Sequence, residues 1–208
     1  MSPSLTPPCA GREQKKAPAL TTPAPSHFPG DPLIWVFVLG DMAVFSMFFC
    51  VYGYFRNRDL GLYQQAQTLL NMHYGAVNSL ILLLSSWFVV MMLGAVRRGE
   101  HKLASHFIGA AFLCGLTFSI LKYFEYQAKL DAGITYATNP FFTFYYLLTG
   151  LHFAHLLCGL GVLAWFYFPL RVRNPNAEDL ENLESTAVYW HMVDLLWIVI
   201  FALLYLLP

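Results

Sequence analysis

Charged residues are scarce in this chain. Only 12% of its 208 residues are Asp, Glu, Lys or Arg, and the formal net charge is zero. A chain without a basic excess has no electrostatic footprint for nucleic acid, so we expect no nucleic-acid partner. In contrast, 57% of the residues are hydrophobic and 17% are aromatic. This is more apolar than soluble domains of similar length, and it indicates an integral membrane protein.

Cysteine is also sparse, and no two cysteines have the spacing of a metal site. Cys9, Cys50, Cys114 and Cys158 lie far apart, and the last three fall in apolar runs. A thiol in such a run usually packs as a small hydrophobe. The chain contains no HExxH motif either. We therefore predict neither a disulfide framework nor a thiolate metal site.

Residues 1–32 lack any long apolar run and contain eight of the twelve prolines, together with three basic residues. A segment of this composition cannot bury enough apolar surface to fold, and it has no apolar core of the kind that a cleavable signal peptide needs. We predict a disordered Pro-rich cytoplasmic tail over residues 1–32 and a membrane domain over residues 33–208.

Five apolar runs follow the tail, and each is long enough to span a bilayer as a helix. They lie at 33–55, 74–96, 103–126, 141–168 and 187–207. The prediction is an all-α integral membrane protein, a bundle of five transmembrane helices. Eight Lys and Arg residues fall on the side of the tail and four on the other side. By the positive-inside rule, the N-terminus is cytoplasmic and the C-terminus is outside.

The last span contains two ionisable side chains, His191 and Asp194, three positions apart and so on one helical face. A central Asp costs about 2.5–3.5 kcal/mol on membrane-insertion scales, so the pair should face protein or water rather than lipid. Two interpretations stay open: a polar contact that joins helices, and a functional site. Asp41 in the first span has the same two interpretations, as a neutral hydrogen-bonded group or as a functional acid.

Other polar residues fall inside the second and third spans. Asn78, Ser85 and Ser86 are of the kind that usually serves helix–helix packing in membranes. Lys122 and Glu125 are three apart, which predicts an ion pair near the outer interface, although Lys122 could instead extend to the lipid headgroups.

Histidines provide one alternative function. His152 and His155 share a face of the fourth span, and His191 is a candidate third ligand, so the sequence also permits a haem- or metal-binding membrane enzyme. A small transporter or proton channel is a further alternative, although no inverted repeat is visible. The acidic connection before the last span is expected to be a solvated loop or a docking surface; it contains Glu178, Asp179, Glu181 and Glu184.

Several of these motifs together resemble subunit III of the haem-copper oxidases, in the order of that family and through all five spans. They are Gly40-Asp41, the Asn78 to Ser86 segment, Glu125-Tyr126, the Gly150 to His155 segment, and Glu184 followed by Tyr189-Trp190-His191, Asp194 and Trp197. Five spans resemble the quinol-oxidase subunit III and the NorE-type proteins associated with nitric oxide reductase. The Ser85-Ser86-Trp87 step favours the NorE type.

The resemblance implies a non-redox accessory subunit in the bacterial inner membrane, packed beside the catalytic subunit of an oxidase or a nitric oxide reductase. Such a subunit supports assembly, holds phospholipid and sustains proton-coupled turnover in oxygen respiration or denitrification. It implies no cofactor and no catalytic residue in this chain. Asp41, His191 and Asp194 are expected to form a functional polar cluster, and Tyr189, Trp190 and Trp197 are expected to serve intramembrane packing.

Overall fold

The computed structural model describes residues 30–173 and 175–207, and these residues form helices without any strand. The helices are α1 (Pro32–Arg58), α2 (Leu60–Thr68), α3 (Met72–Arg97), α4 (His101–Asp131), α5 (Pro140–Val172) and α6 (Ala177–Phe201), with a terminal π-helix over Ala202–Leu206. Five of them are long and apolar enough to cross a membrane. The all-α prediction with five spans is confirmed. Residues 1–29, most of the predicted tail, lie outside the described residues.

The short helix α2 was not predicted from the sequence. It is only nine residues long and carries two glutamines, so its composition gives no signal of a membrane span. Its N-terminus is capped by Asp59, whose carboxylate accepts a hydrogen bond from the Leu62 N–H at 3.2 Å. Its Tyr63 ring is buried between the rings of Tyr52 and Phe141, with centroid distances of 5.6 and 5.7 Å. Tertiary packing therefore holds this helix in place.

The acidic segment before the last span is helical, so its interpretation as a loop was wrong. Helix α6 begins at Ala177, and its first turns carry the four acidic residues. Asn176 and Asp179 form a capping box, in which the Asn176 N–H donates to the Asp179 carboxylate at 2.8 Å. Acidic side chains also complement the positive end of a helix dipole. These local interactions extend the helix well beyond its apolar part.

Successive long helices run in opposite directions. The near end of the bundle is where α1, α4 and α6 begin, and the far end is where α3 and α5 begin. Helix α3 packs against α4 and α6, and α5 packs against the same two helices. Helix α1 is attached less closely, since only Val38, Phe45 and Tyr52 along it are buried. Their spacing of seven residues makes one narrow stripe against α5 and α6.

Trp190 of α6 occupies the centre of the four-helix core, and two glycines make the space for its ring. A Cβ atom built on Gly115 of α4 would lie 3.0 Å from Trp190 Cη2, and one on Gly159 of α5 would lie 2.8 Å from Trp190 Cζ3. Real Cβ atoms rarely come this close to another atom, so a larger residue at either position would force the indole to move. The two glycines thus let three helices meet around one buried ring.

Candidate functional site

At the near end of the bundle, Glu184 ties three helices together. Its carboxylate accepts a hydrogen bond from Arg97 Nη2 of α3 at 2.8 Å and one from the Gly30 N–H at 3.2 Å. Beside it, the Asp31 N–H donates to Ser185 Oγ at 2.9 Å. Gly30 has a φ of +78°, and a Cβ there would lie 2.7 Å from Ser185 Oγ. The start of α1 is therefore fixed against α6 at a position that requires glycine.

Asp41 of α1 contacts the imidazole of His155 of α5. The distance from Asp41 Oδ1 to His155 Nε2 is 3.2 Å, and the two side chains are 14% and 22% exposed. The other ring nitrogen of His155, Nδ1, lies 2.8 Å from the Leu151 carbonyl oxygen of the same helix. Asp41 Oδ2 is buried and has no hydrogen-bond partner among the described residues. The pair links the loosely packed α1 to the rest of the bundle.

An open groove of about 580 Å³ lies beside this pair, between α1, α5 and α6. Its walls are mainly apolar, and its near end is polar. It is lined by Ile34, Phe37, His155, Cys158, Val162, Phe166, Asn182, Ser185, Thr186 and Tyr189. The Tyr189 hydroxyl donates to the His155 carbonyl oxygen at 2.9 Å. The groove therefore combines an apolar wall with a hydrogen-bonded acid–imidazole pair.

His191 and Asp194 of α6 face two serines of α3. His191 Nδ1 lies 2.5 Å from Ser86 Oγ, and Trp190 Nε1 donates to Ser85 Oγ at 3.2 Å. The Ser86 hydroxyl also lies beside the Asp194 carboxyl group. Asp194 is only 4% exposed, and neither of its carboxyl oxygens has a hydrogen-bond partner among the described residues.

The structure divides the predicted cluster of Asp41, His191 and Asp194 into two. Asp41 pairs with His155 of α5, whereas His191 and Asp194 meet Ser86 of α3. Within the described part of the chain, no hydrogen bond or ion pair joins Asp41 to either of the other two. Helical periodicity placed His191 and Asp194 on one face, but it carries no information on which helix lies beside that face.

Asn78 of α3 and His152 of α5 are also fully buried, and none of their side-chain nitrogen or oxygen atoms has a partner within the described residues. The His152 ring packs against the rings of Phe118 and Trp197, at centroid distances of 5.8 and 5.2 Å. A buried polar group without a partner costs about 1–3 kcal/mol.

At the far end, Lys122 and Glu125 of α4 form a buried ion pair, as predicted from their spacing. Lys122 Nζ lies 2.9 Å from Glu125 Oε2, with the two side chains 1% and 6% exposed. Tyr145 of α5 and Tyr205 of the π-helix both donate to Glu125 Oε1, at 2.8 and 2.7 Å. Lys122 Nζ also approaches both hydroxyl oxygens and lies 4.9 Å from the Trp197 ring centroid.

This far-end cage, made of Lys122, Glu125, Tyr145 and Tyr205, contradicts the alternative in which Lys122 reaches the lipid headgroups. The lysine turns inward because the carboxylate and the two hydroxyl groups satisfy all its donors. Tyr145 and Tyr205 were not predicted from the sequence as members of this cage. Their only signal was an aromatic-rich start of α5 and a tyrosine near the C-terminus, which looked like ordinary interfacial aromatic residues.

The three histidines considered as haem or metal ligands do not converge. His155 contacts Asp41, His191 contacts Ser86, and His152 is enclosed by aromatic rings. Among residues 30–173 and 175–207, no three His, Cys, Asp or Glu side chains are placed to hold one metal ion. Within the described residues, His152, His155 and His191 therefore do not form the ligand set that the metalloenzyme alternative needs.

Comparison with known proteins agrees with the arrangement of spans. The family model of cytochrome c oxidase subunit III matches residues 33–207. The chain is 30% identical over 175 residues to cytochrome c oxidase subunit 3 of Synechocystis sp., covering 83% of this chain and 73% of that protein. It is 21% identical over 173 residues to cytochrome bo(3) ubiquinol oxidase subunit 3 of Buchnera aphidicola, covering 83% and 84%.

A fused protein is also similar. The heme-copper oxidase subunit I+III of Aeropyrum pernix is 27% identical over 191 residues, which cover 86% of this chain but only 23% of that longer protein. The family match includes nearly all of the five long helices, together with the Asp41–His155 and His191–Ser86 contacts and the far-end cage. The chain therefore belongs to the cytochrome c oxidase subunit III family.

Proposed function

We propose that this protein is a non-redox accessory subunit of a respiratory haem-copper oxidase complex, packed beside the catalytic subunit. The observation that carries the proposal is the family match over residues 33–207, which takes in the whole helical bundle. The relative in Aeropyrum pernix supports lateral association, since its name places subunits I and III in one polypeptide. By analogy, we expect this chain to contact a catalytic subunit.

The polar contacts inside the bundle favour a structural role for this chain rather than a role in electron transfer. His155 bonds to a carboxyl group and lies beside a backbone carbonyl oxygen, and His191 bonds to a serine hydroxyl group. Side chains that are already engaged in this way orient helices, and they would have to break these contacts to ligate a redox centre. We infer that the Asp41–His155 pair and the His191–Ser86 contact maintain the geometry of the face that a catalytic subunit needs.

We place the protein in a bacterial inner membrane, with the near end of the bundle in the cytoplasm. The distribution of Lys and Arg supports this orientation, with eight on the near side and four on the far side. The tail over residues 1–32 would then be cytoplasmic. The groove beside Asp41 and His155, with its apolar walls, suits a phospholipid chain in this orientation.

Within the family, we infer a NorE-type protein that serves nitric oxide reductase. Two segments support this, Ser85-Ser86-Trp87 and the Lys122 to Tyr126 segment followed by Ala132-Gly133-Ile134. The lysine of that segment stands in the far-end cage, where it neutralises Glu125. The relatives compared above are named as oxidase subunits. An experiment must therefore decide whether the partner of this chain is an oxidase or a nitric oxide reductase.

Purification of the tagged full chain from native membranes tests the proposal. In a mild detergent, we expect a haem-containing catalytic subunit to co-purify, and its identity decides between oxidase and nitric oxide reductase. A tagged, unrelated five-span protein from the same membranes is the control for non-specific capture. After dissociation from its partner, the chain should show no haem absorption. A stoichiometric Soret band in the isolated chain, or the absence of any such partner, would overturn the proposal.

A further inference from the structure

A second groove opens between the start of α4 and the end of α5, and it has no described lining residue in common with the groove beside Asp41 and His155. Its volume is about 540 Å³. Apolar and small residues predominate in its lining, among them Phe112, Leu113, Phe168, Gly109, Ala110 and Ala164. The fit is close, since a Cβ atom on Gly109 would lie 3.2 Å from Tyr167 Cε2. We call this feature the α4–α5 groove.

The α4–α5 groove lies on the outer surface of two spanning helices. Its lining residues Leu113 and Phe168 are 61% and 70% exposed, and both α4 and α5 are long and apolar enough to cross a membrane. Along α4 the groove extends from Ser105 to Leu113, which corresponds to about 12 Å of helix. Exposed apolar side chains on a spanning helix face hydrocarbon. A segment of an acyl chain therefore suits a groove of this length and composition.

Basic residues stand at the near end of the α4–α5 groove. On α5, Arg171 Nη1 donates to the hydroxyl oxygen of Tyr167, a lining residue, at 3.1 Å. On α4, His106 lines the groove, and its Nδ1 lies 2.6 Å from the carbonyl oxygen of the exposed Lys102. None of the described lining residues is acidic. The apolar groove therefore begins at a mouth with a basic residue on each of its two helices.

Arg171 differs from the other near-end arginines in the group that it contacts. Among the described residues, each of those three arginines pairs with a carboxylate: Arg97 with Glu184, Arg98 with Glu100 and Arg173 with Asp179. Arg171 instead contacts a neutral phenol hydroxyl. This contact leaves the positive charge of the guanidinium group uncompensated, and guanidinium groups match phosphate oxygens in both charge and geometry. The mouth of the groove is therefore complementary to a phosphate group.

We propose that the α4–α5 groove binds one anionic phospholipid from the leaflet at the near end, with an acyl chain in the groove and the phosphate group at Arg171. Lys102 adds a second positive charge from α4, and basic pockets between spanning helices suit acidic lipid head groups. A zwitterionic lipid carries its own cation, which gains nothing from a basic mouth. The site is thus selective for head-group charge, and it holds with or without a catalytic partner.

Lipid retention by the purified full chain tests the proposal. The chain is delipidated in mild detergent, offered equal amounts of phosphatidylglycerol and phosphatidylcholine, and analysed by native mass spectrometry. We expect the parent chain to retain phosphatidylglycerol in preference. Arg171→Gln should lower the affinity for phosphatidylglycerol about fivefold, the factor that one basic residue contributes at an anionic lipid surface. Equal retention of the two lipids by the parent chain would overturn the proposal.

Arg58→Gln is the matched control for the arginine. Arg58 also follows a tyrosine by one turn, with its Cζ atom 5.0 Å from the Tyr54 ring centroid, but it stands at the far end of α1. This variant should retain phosphatidylglycerol like the parent chain, and a loss equal to that of Arg171→Gln would contradict a local site. An excess of inorganic phosphate should leave the lipid bound, because the acyl chain is held as well. Release by phosphate alone would overturn the proposal in favour of a site for the free anion.

Photolabelling of the parent chain locates the lipid and depends on no variant. The probe is phosphatidylglycerol with a diazirine in its acyl chain, added to the purified full chain. We expect labelled peptides from residues 105–113 of α4 or 164–168 of α5. Labelling confined to other segments would place the lipid elsewhere on the bundle, and the assignment of this groove would then be wrong.

Discussion

The two ring nitrogens of His155 both face hydrogen-bond acceptors, and one of these acceptors is Asp41. Nε2 lies 3.2 Å from Asp41 Oδ1, and Nδ1 lies 2.8 Å from the Leu151 carbonyl oxygen. The ring is therefore held from two sides, by a carboxyl group of α1 and by a carbonyl group of its own helix. The contact with Asp41 fastens α1 to α5.

This arrangement predicts a graded effect of substitutions at Asp41. Asp41→Ala leaves His155 Nε2 without its partner and should lower the free energy of unfolding by about 1–3 kcal/mol. Asp41→Asn should lose less, because its amide nitrogen can still donate to a neutral imidazole. Thermal unfolding in detergent is the measurement, and Asp131→Asn, an exposed carboxylate at the end of α4, is the control. Equal stability of Asp41→Ala and the parent would contradict the pair.

Function should depend on both halves of the divided cluster. In native membranes, Asp41→Ala and His191→Ala are each expected to lower sustained oxidase or reductase activity, or the amount of assembled complex. They should act additively, since Asp41 bonds to α5 and His191 to α3. Activity followed over many turnovers, normalised to assembled catalytic subunit, is the readout. If both variants assemble and turn over like the parent, the two contacts serve helix packing alone.

The far-end cage predicts a strong dependence of stability on Lys122. Lys122→Met leaves the Glu125 carboxylate buried without its cation, and this should cost about 3–5 kcal/mol. The double variant with Glu125→Gln should recover part of the loss, because no uncompensated charge remains. The control is Lys102→Met, which removes an exposed lysine from the near end of the same helix. A double variant less stable than Lys122→Met would argue against an ion pair at this site.

Two glycines of α5 provide a matched test of packing around Trp190. Gly159→Ala places a Cβ atom 2.8 Å from Trp190 Cζ3 and should cost about 1–3 kcal/mol through overpacking. Gly161→Ala, two residues away, meets no atom within 4 Å. It should be neutral or stabilising, since alanine favours helix over glycine by up to about 1 kcal/mol. Indole fluorescence and thermal unfolding measure both. Equal Tm values for the two variants would disprove the close contact.

Much of the fold was predictable because a membrane-spanning helix is determined by a continuous stretch of the sequence. A run of about 20 apolar residues must form a helix in lipid, and the pair Lys122 and Glu125 follows from a spacing of three. The partner of Asp41 was not predictable in this way. It depends on which helices lie side by side, and His155 stands on a different span. Helix α2 and the first turns of α6 were missed because caps and packing, rather than hydrophobicity, hold them.

The terminal π-helix sets the rotational phase of Tyr205. Its wider winding, marked by the Leu207 N–H bonding to the Ala202 carbonyl oxygen, points the tyrosine hydroxyl at Glu125. In the same stretch, the Leu203 carbonyl oxygen accepts a hydrogen bond from Tyr52 of α1 at 3.2 Å. Removing one residue between Trp197 and Tyr205 would rotate the tyrosine by about 100° around the helix axis. The hydrogen bonds to Glu125 and from Tyr52 would then both be lost. The terminal π-helix thus fastens the end of α6 to both α1, through Tyr52, and α4, through Glu125.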